Sequence, residues 1–340
     1  MSKISYAPCL RGFLMGAIAG LALEFFPTVA VAAESPLNDQ TTVIVVVGAG
    51  GESEFGTNFT NQAKLWEKTC QLAGAKRVTI GIGEEAATGP SDLERVKQAL
   101  ETEAKDGASE LWVVLIGHGT FDGRDAKFNL RGPDLTAVDL ALWLKPFNRP
   151  MAIVDTSSGS APFIAKLTGK NRVIVSATRS GYEQNYARFG QYFAAAMLDP
   201  KSDLDQDGQT SLLEAFLSAS TRVLEFYKTE GRLSTEHALI DDNSDGLGTP
   251  SDWFRGTRAT KKAKDGGALD GLRAKQFHLI RSPAEQKLSV EQRARRDELE
   301  LSIEALREKK AKLSEPAYYA ELEKLMLELA KVYGPPTEGP

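Results

Sequence analysis

Five short runs of β-branched and other apolar residues, separated by helical patterns and loops, constrain the fold of this chain most strongly. The first run, Val43–Val47, is unbroken, as is typical of a parallel strand that is buried on both faces. The other four runs are Arg77–Ile82, Leu111–Ile116, Met151–Val154 and Arg172–Ser176. Strands that alternate with helices predict an α/β fold of three layers, in which helices cover both faces of a parallel sheet.

Helical patterns lie between these strands. An amphipathic pattern predicts a helix over Gln62–Leu72, and a capping box that starts at Ser91 predicts the beginning of a second helix. A crossover helix that ends near Leu144 is expected to have Asp134 or Thr136 as its N-cap.

The chain beyond Leu288 is charged and carries apolar residues at helical spacing on both sides of the break Ser314–Pro316. This pattern predicts a C-terminal helical hairpin. The predicted organisation is a signal peptide over residues 1–33, a main domain over 40–235, a second Asp-rich loop and linker over 236–285, and the hairpin over 286–334.

The N-terminal segment is typical of a secretory signal peptide. The basic residues Lys3 and Arg11 precede the apolar run Phe13–Leu23. Further along, Ala30–Ala32 offers a cleavage site of small residues. No later apolar stretch reaches the roughly 20 residues that a membrane span requires. We therefore expect an exported protein, periplasmic or extracellular, with no membrane span once the signal is removed. Cys9 would leave with the signal peptide.

The overall charge argues against nucleic acid as a partner. The 340 residues include 41 Lys and Arg against 46 Asp and Glu, a formal net charge of −5. Such a chain has no global basic surface for phosphates. The sequence leaves the oligomeric state open.

Polar residues follow two of the predicted strands at their carboxyl ends, where active-site groups of open α/β sheets gather. His118 comes directly after the strand Leu111–Ile116, between two glycines. The strand that starts at Met151 runs into Asp155 and then into the hydroxyl-rich loop Thr156–Ser160. A nucleophile and its base would need such an arrangement on neighbouring β-α units.

Around these residues the sequence resembles the caspase and legumain superfamily of cysteine peptidases, over roughly residues 41 to 200. The marks are the His118-Gly119 pair after the third strand and Ser158-Gly159-Ser160 after the fourth, which is similar to the legumain Ser-Gly-Ser that follows the catalytic cysteine. The resemblance implies a peptidase fold whose substrate cleft lies at the carboxyl edge of the sheet.

The catalytic cysteine of that superfamily is missing. Depending on the register, its position falls on Thr156 or Ser157. A hydroxyl needs a well-placed base to act as a nucleophile, whereas a thiol is partly ionised near neutral pH. The resemblance also places Arg179 and Ser158 in the substrate cleft, where Arg179 would receive an acidic side chain. We expect a proteolytically degenerate domain, with His118 and either hydroxyl as an alternative catalytic pair.

A loop after the predicted core matches the twelve-residue EF-hand pattern. Carboxylates stand at positions 1, 3, 5 and 12, and Gly208 stands at position 6, where the loop turns sharply. Alternate side chains of such a loop converge on one Ca²⁺ ion, and position 7 contributes its backbone carbonyl. The predicted ligands are Asp203, Asp205, Asp207, Gln209 and Glu214. Ca²⁺ is therefore the expected cofactor, in a structural role.

A second Asp-rich loop repeats the pattern with Asp in place of Glu at position 12, so a weaker Ca²⁺ site is expected there. Its predicted ligands are Asp241, Asn243, Asp245, Leu247 through its carbonyl, and Asp252. The alternative is a turn-rich loop without metal, which the Asn-Ser-Asp-Gly sequence also suits.

Three hypotheses for function follow. The first is a calcium-stabilised, degenerate caspase/legumain-like module that binds a peptide or protein at the carboxyl edge of the sheet. The second is an active peptidase that uses His118 with Ser157 or Thr156. The third is an envelope assembly protein that works through its C-terminal helices, which an exposed apolar stripe along Leu299–Leu313 would favour.

Overall fold

The predicted strands form the centre of one seven-stranded sheet. A computed structural model describes residues 40–83 and 89–334, so the predicted signal peptide and Cys9 lie outside the described residues. The strands are β1 (Thr42–Val47), β2 (Lys76–Ile80), β3 (Leu111–Ile116), β4 (Gly119–Phe121), β5 (Ala126–Phe128), β6 (Leu135–Thr136), β7 (Met151–Asp155), β8 (Arg172–Ser176), β9 (Leu239–Asp241), β10 (Thr249–Pro250), β11 (Phe254–Arg255) and β12 (Arg258–Ala259). The helices are α1 (Ser53–Ala73), α2 (Asp92–Thr102), α3 (Ala137–Leu144), α4 (Ala161–Leu167), α5 (Phe189–Ala196), α6 (Leu212–Thr229), α7 (Val290–Glu308) and α8 (Glu315–Tyr333).

The main sheet has the strand order β10-β9-β8-β7-β3-β1-β2. β1, β2, β3, β7 and β8 run parallel, whereas β9 is antiparallel to β8 and β10 is antiparallel to β9. Two smaller antiparallel sheets consist of β4, β5 and β6 and of β11 and β12.

Each face of the main sheet carries its own apolar core. Successive side chains of a strand point to opposite faces. Val43 and Val45 accordingly join the cluster with α1, α5 and α6, and Ile44 and Val46 join the cluster with α2, α3 and α4. The predicted three-layer α/β fold is confirmed.

The helix starts follow from local hydrogen bonding. The capping box at Ser91 is present, because its side chain accepts from the amide of Glu94 and the Glu94 carboxylate accepts from the amide of Ser91. Of the two proposed caps of α3, Thr136 accepts from the amide of Asp139, while Asp134 accepts from the amide of Leu130.

Three parts of the architecture differ from the sequence-based expectation. Helix α1 begins at Ser53 rather than at Gln62, because Phe55 and Phe59 extend its apolar stripe and their packing outweighs weak helix formers such as Gly56. Strands β4 to β6 are only two or three residues long, too short for periodicity to reveal. The stretch expected to hold only a loop and a linker supplies β9 and β10 to the main sheet.

The C-terminal helical hairpin is confirmed as α7 and α8, which pack on each other. The apolar residues Leu299, Ile303 and Leu306 of α7 are buried. Among the described residues, no helix is both long and apolar enough to cross a membrane.

Candidate functional site

The two polar strand ends meet at the carboxyl edge of the sheet. β3 and β7 are hydrogen-bonded neighbours, with Leu115 opposite Asp155, so the segments that follow them lie side by side. The amide of Gly119 donates to Ser158 Oγ, and Ser158 Oγ donates to the carbonyl of Gly119, both at 3.2 Å. The loop that follows His118 thus lies against the loop that carries Ser158.

This close approach explains the glycine after His118. A Cβ atom at Gly119 would lie 2.3 Å from the carbonyl oxygen of Ser158 and 2.8 Å from Ser157 Oγ. Any larger residue would push the two loops apart.

The imidazole of His118 is half-buried among aromatic rings. Phe55 and Phe59 each contact it edge-on with ring centroids 5.0 Å away, and Tyr186 lies at 6.3 Å. Burial lowers the pKa of His118, and a hydrogen bond to the backbone of Gly50 partly opposes this effect. The ring is therefore neutral near neutral pH, the form that can act as a base.

The candidate nucleophiles are buried and bonded to their own chain. The Thr156 hydroxyl donates to the carbonyl of Leu115 at 2.8 Å, and the Ser157 hydroxyl donates to Asp155 Oδ1 at 2.6 Å. Thr156 is 4% exposed and Ser157 is 0% exposed. Both hydroxyls are thus buried and engaged by partners other than His118.

Asp155 is the buried acid beneath this loop. Burial raises the pKa of its carboxyl to about 7, and the hydroxyl and amide of Ser157 oppose the shift. Its second oxygen, Oδ2, is buried without a hydrogen-bond partner in the described part of the chain. The sequence marks Asp155 only as a strand end, since nothing in the sequence shows that the carboxyl faces inwards.

Cys70 does not replace the missing nucleophile. It lies in α1, is 2% exposed, and burial raises the pKa of its thiol to about 11. A buried thiol of this kind is inert.

Arg179 lies beyond β8 at the same edge of the sheet and is well exposed. Its guanidinium is 3.2 Å from Glu183 Oε1, an oxygen that also lies 2.6 Å from His237 Nδ1. Arg179 and His237 share the rim of a cavity of about 410 Å³ whose apolar wall includes Phe189 and Trp253. Sequence reasoning missed Glu183 and His237, because residues so far apart in the chain meet only after folding.

The first Asp-rich loop has the turns that its pattern predicts. Asp203 accepts from the amides of Asp207 and Gly208, at 3.1 and 2.9 Å. Gly208 has a φ of 88°, which suits glycine in the sharp turn. α6 begins at Leu212 after a capping box formed by Ser211 and Glu214, as expected for a helix that leaves a metal loop.

Three of the predicted ligands converge. One oxygen each from Asp203, Asp205 and Glu214 lie within 4.8 Å of one another. Oxygens bound to one Ca²⁺ at 2.3–2.6 Å are at most about 5 Å apart, so this donor set fits the ion. Asp207 lies outside this group of carboxylates, and the backbone carbonyl of Gln209 stays a predicted ligand. Asp207 accepts from the amide of Gln209, whose side-chain oxygen accepts from the amide of Ser282.

The second Asp-rich loop does not close as a twelve-residue metal loop. Asp241 ends β9, and in the hairpin Pro250 pairs with Leu239. Residues past Pro250 therefore run away from Asp241, and Asp252 lies in a short 3₁₀ helix that lines the cavity near Arg179. The expectation that Asp252 closes this loop is wrong.

The β9–β10 turn keeps part of the predicted pattern. Asn243 accepts from the amide of Asp245 at 2.8 Å, and Asp245 accepts from the amide of Leu247 at 2.7 Å. Asp270, which the sequence analysis did not single out, accepts from the amide of Asn243 and from the hydroxyl of Thr249. It supports the hairpin from outside the loop.

Comparisons with known proteins add a weak structural likeness. No family model and no curated protein matches this sequence. The Drosophila initiator caspase Dronc overlaps with a TM-score of 0.39 and 12% identity, covering 71% of this chain and 95% of that one. Caspase-1 from Spodoptera frugiperda overlaps with a TM-score of 0.38 and 11% identity, covering 60% and 86%. Because both scores are low, the α/β class rests on the sheet and its two helical layers.

Proposed function

We propose that this protein is an exported, calcium-stabilised module of the caspase/legumain type that binds a peptide or protein segment without cleaving it. One observation supports this most: the hydroxyls at the nucleophile position are buried and bonded within their own chain. A nucleophile must reach the substrate carbonyl and pass its proton to a base. In the described geometry both hydroxyls are buried away from a substrate, and neither is bonded to His118.

Features at the carboxyl edge support binding. His118 is flanked by aromatic side chains, and the exposed ring of Tyr182 stands edge-on to Phe121. Arg179 is exposed beside a cavity with apolar walls. Apolar pockets with a few charged groups at the rim are typical of ligand sites.

The alternative is an active peptidase, and the Asp155–Ser157 contact of 2.6 Å is the observation that favours it. A carboxylate so close could accept the proton of the Ser157 hydroxyl. Because Ser157 is fully buried, this alternative requires the loop to open before a substrate can reach it.

The third hypothesis, envelope assembly through the C-terminal helices, receives mixed support. The stripe along Leu299–Leu313 is mostly covered, since only Leu313 is exposed. The outer face of α8 nevertheless exposes four large apolar side chains, those of Tyr319, Met326, Leu327 and Tyr333.

Peptide binding and cleavage can be tested together. The purified protein and His118→Ala are incubated with a fluorogenic peptide library, with and without Ca²⁺, and cleavage is followed by fluorescence. In a second experiment, the affinity of each protein for peptides of the library is measured. We expect binding without cleavage, and weaker binding for Arg179→Ala than for Arg307→Ala, a matched exposed arginine on α7. Cleavage by the wild type that disappears in His118→Ala would contradict the proposal and favour the peptidase.

A further inference from the structure

A lysine from outside the first Asp-rich loop contacts one of its metal ligands. Lys275 Nζ lies 3.0 Å from Asp205 Oδ2, at position 3 of the loop. Asp205 also belongs to the group of three converging carboxylates. The ammonium thus provides a positive charge at the loop from within the chain.

The backbone that carries Lys275 is firmly held. Its own amide donates to the carbonyl of Gly271, and its neighbour Ala274 is fully buried. On the other side, the Gln276 side chain donates to the carbonyl of Asp297 in α7. Because the main chain is anchored on both sides, the flexible lysine stem alone determines whether the ammonium stays at Asp205.

The same segment touches the loop at two further points. The amide of Ser282 donates to Gln209 Oε1 at 3.0 Å, and the amide of Leu212 donates to the carbonyl of Phe277 at 2.8 Å. Neither bond involves the carboxylate of Asp203, Asp205 or Glu214. Within the loop, Asp203 and Glu214 accept hydrogen bonds from backbone amides. The contact of Asp205 with Lys275 is an ion pair, and it places a positive charge where a cation would bind.

We propose that Lys275 is a built-in competitor of the metal, which neutralises Asp205 in the metal-free loop and must move away when a divalent cation binds. This inference rests on the proposed calcium site. An ammonium and a divalent ion on the same carboxylate repel each other, so the lysine weakens metal binding. In return, its charge relieves the repulsion among the loop carboxylates when no metal is present.

Calcium titration of the full chain by calorimetry tests the proposal. We expect Lys275→Met to bind Ca²⁺ about two- to fivefold more tightly than the wild type, the range that one exposed ion pair supplies. Lys275→Arg keeps the charge and should bind like the wild type. Lys201→Met is the matched control, because Lys201 lies just before the loop and its side chain has no described bond to a loop carboxylate.

The outcomes separate the two ideas. If neither the wild type nor Lys275→Met binds Ca²⁺, the proposed calcium site is wrong and the competition with it. If the wild type binds but Lys275→Met binds equally or less tightly, only the competition is overturned. A gain of equal size in Lys201→Met would also overturn it, because general charge would then be the cause. Unfolding curves in EDTA confirm that each variant is folded.

Discussion

Single residues at the carboxyl edge show how surroundings decide chemistry. The sequence offers Ser157 as a candidate nucleophile for His118, but in the structure Ser157 is fully buried and its hydroxyl is bonded to the buried Asp155. His118 keeps a partly exposed ring, and the aromatic side chains around it favour its neutral form. In this structure the hydroxyl at the predicted nucleophile position therefore bonds to Asp155, two residues before it in the chain.

The raised pKa of Asp155 predicts a specific pH dependence. Its carboxyl has a pKa of about 7 in the folded protein and an ordinary value near 3.8 when unfolded. Between these values the folded state holds a proton that the unfolded state has lost, so this group reduces stability as the pH rises from about 4 to 7. We expect Asp155→Asn, which stays neutral, to gain stability relative to the wild type over that range.

Urea unfolding of both proteins at several pH values measures this difference. Burial also raises the pKa of Asp297, on α7, to about 7, so Asp297→Asn should show a similar pH-dependent gain in stability. A constant difference between wild type and Asp155→Asn from pH 4 to 7 would show that Asp155 is already ionised in the folded state.

At the scale of elements, helix α7 is attached to the segment that precedes it by a buried charge cluster. Arg296 donates to Glu285 at 2.5 Å and to Asp297 at 2.7 Å, and Arg296 and Glu285 are each 7% exposed. Gln276 adds a bond to the backbone of α7. The apolar stripe of the hairpin packs its helices together, and this polar cluster holds α7 against the preceding segment.

Removal of the arginine should therefore be costly. Arg296→Met leaves the Glu285 carboxylate buried without its cation, and we expect a loss of about 3–5 kcal/mol in the free energy of unfolding. Arg295→Met changes a half-exposed arginine on the same helix and should alter stability by no more than about 0.5 kcal/mol. Adding Glu285→Leu to Arg296→Met should recover part of the loss. Urea denaturation followed by circular dichroism measures all four proteins.

At the scale of the whole molecule, a metal bound to the first Asp-rich loop would stabilise more than the loop. The loop joins the short 3₁₀ helix Pro200–Ser202, which follows α5, to α6, and it contacts the segment that leads to the hairpin. Binding to the folded state alone raises stability by about 2.7 kcal/mol when the metal is at 100 times its dissociation constant.

We therefore expect Ca²⁺ to raise the melting temperature, and Glu214→Gln to abolish the rise, because Glu214 is one of the converging ligands. Asp252→Asn should leave the rise intact, since Asp252 is not one of the three converging carboxylates of the first loop. Differential scanning calorimetry with Ca²⁺ and with EDTA measures both effects. A wild-type melting temperature that does not change when Ca²⁺ is added would contradict a structural calcium site.

Much of the fold was predictable because its signals are local. β1 and β3 are unbroken apolar runs, the cap at Ser91 uses residues three apart, and the hairpin follows a helical apolar spacing. Strands β9 and β10 gave no such signal, because they are two or three residues long and form only by pairing, β9 with β8 and β10 with β9. The location of the candidate site was predictable, since the carboxyl ends of parallel strands meet at one edge of the sheet.

The sequence by itself determined the three-layer architecture, the carboxyl-edge position of His118 and the spacing of the first Asp-rich loop, because periodicity and short-range bonding specify these. Only the tertiary structure decided that the hydroxyls of Thr156 and Ser157 are buried and bonded within their own chain, and that Lys275 lies against Asp205. It also decided that Asp252 is separated from Asp241. Such features depend on burial and on contacts between distant segments, and neither is encoded in the spacing of neighbouring residues.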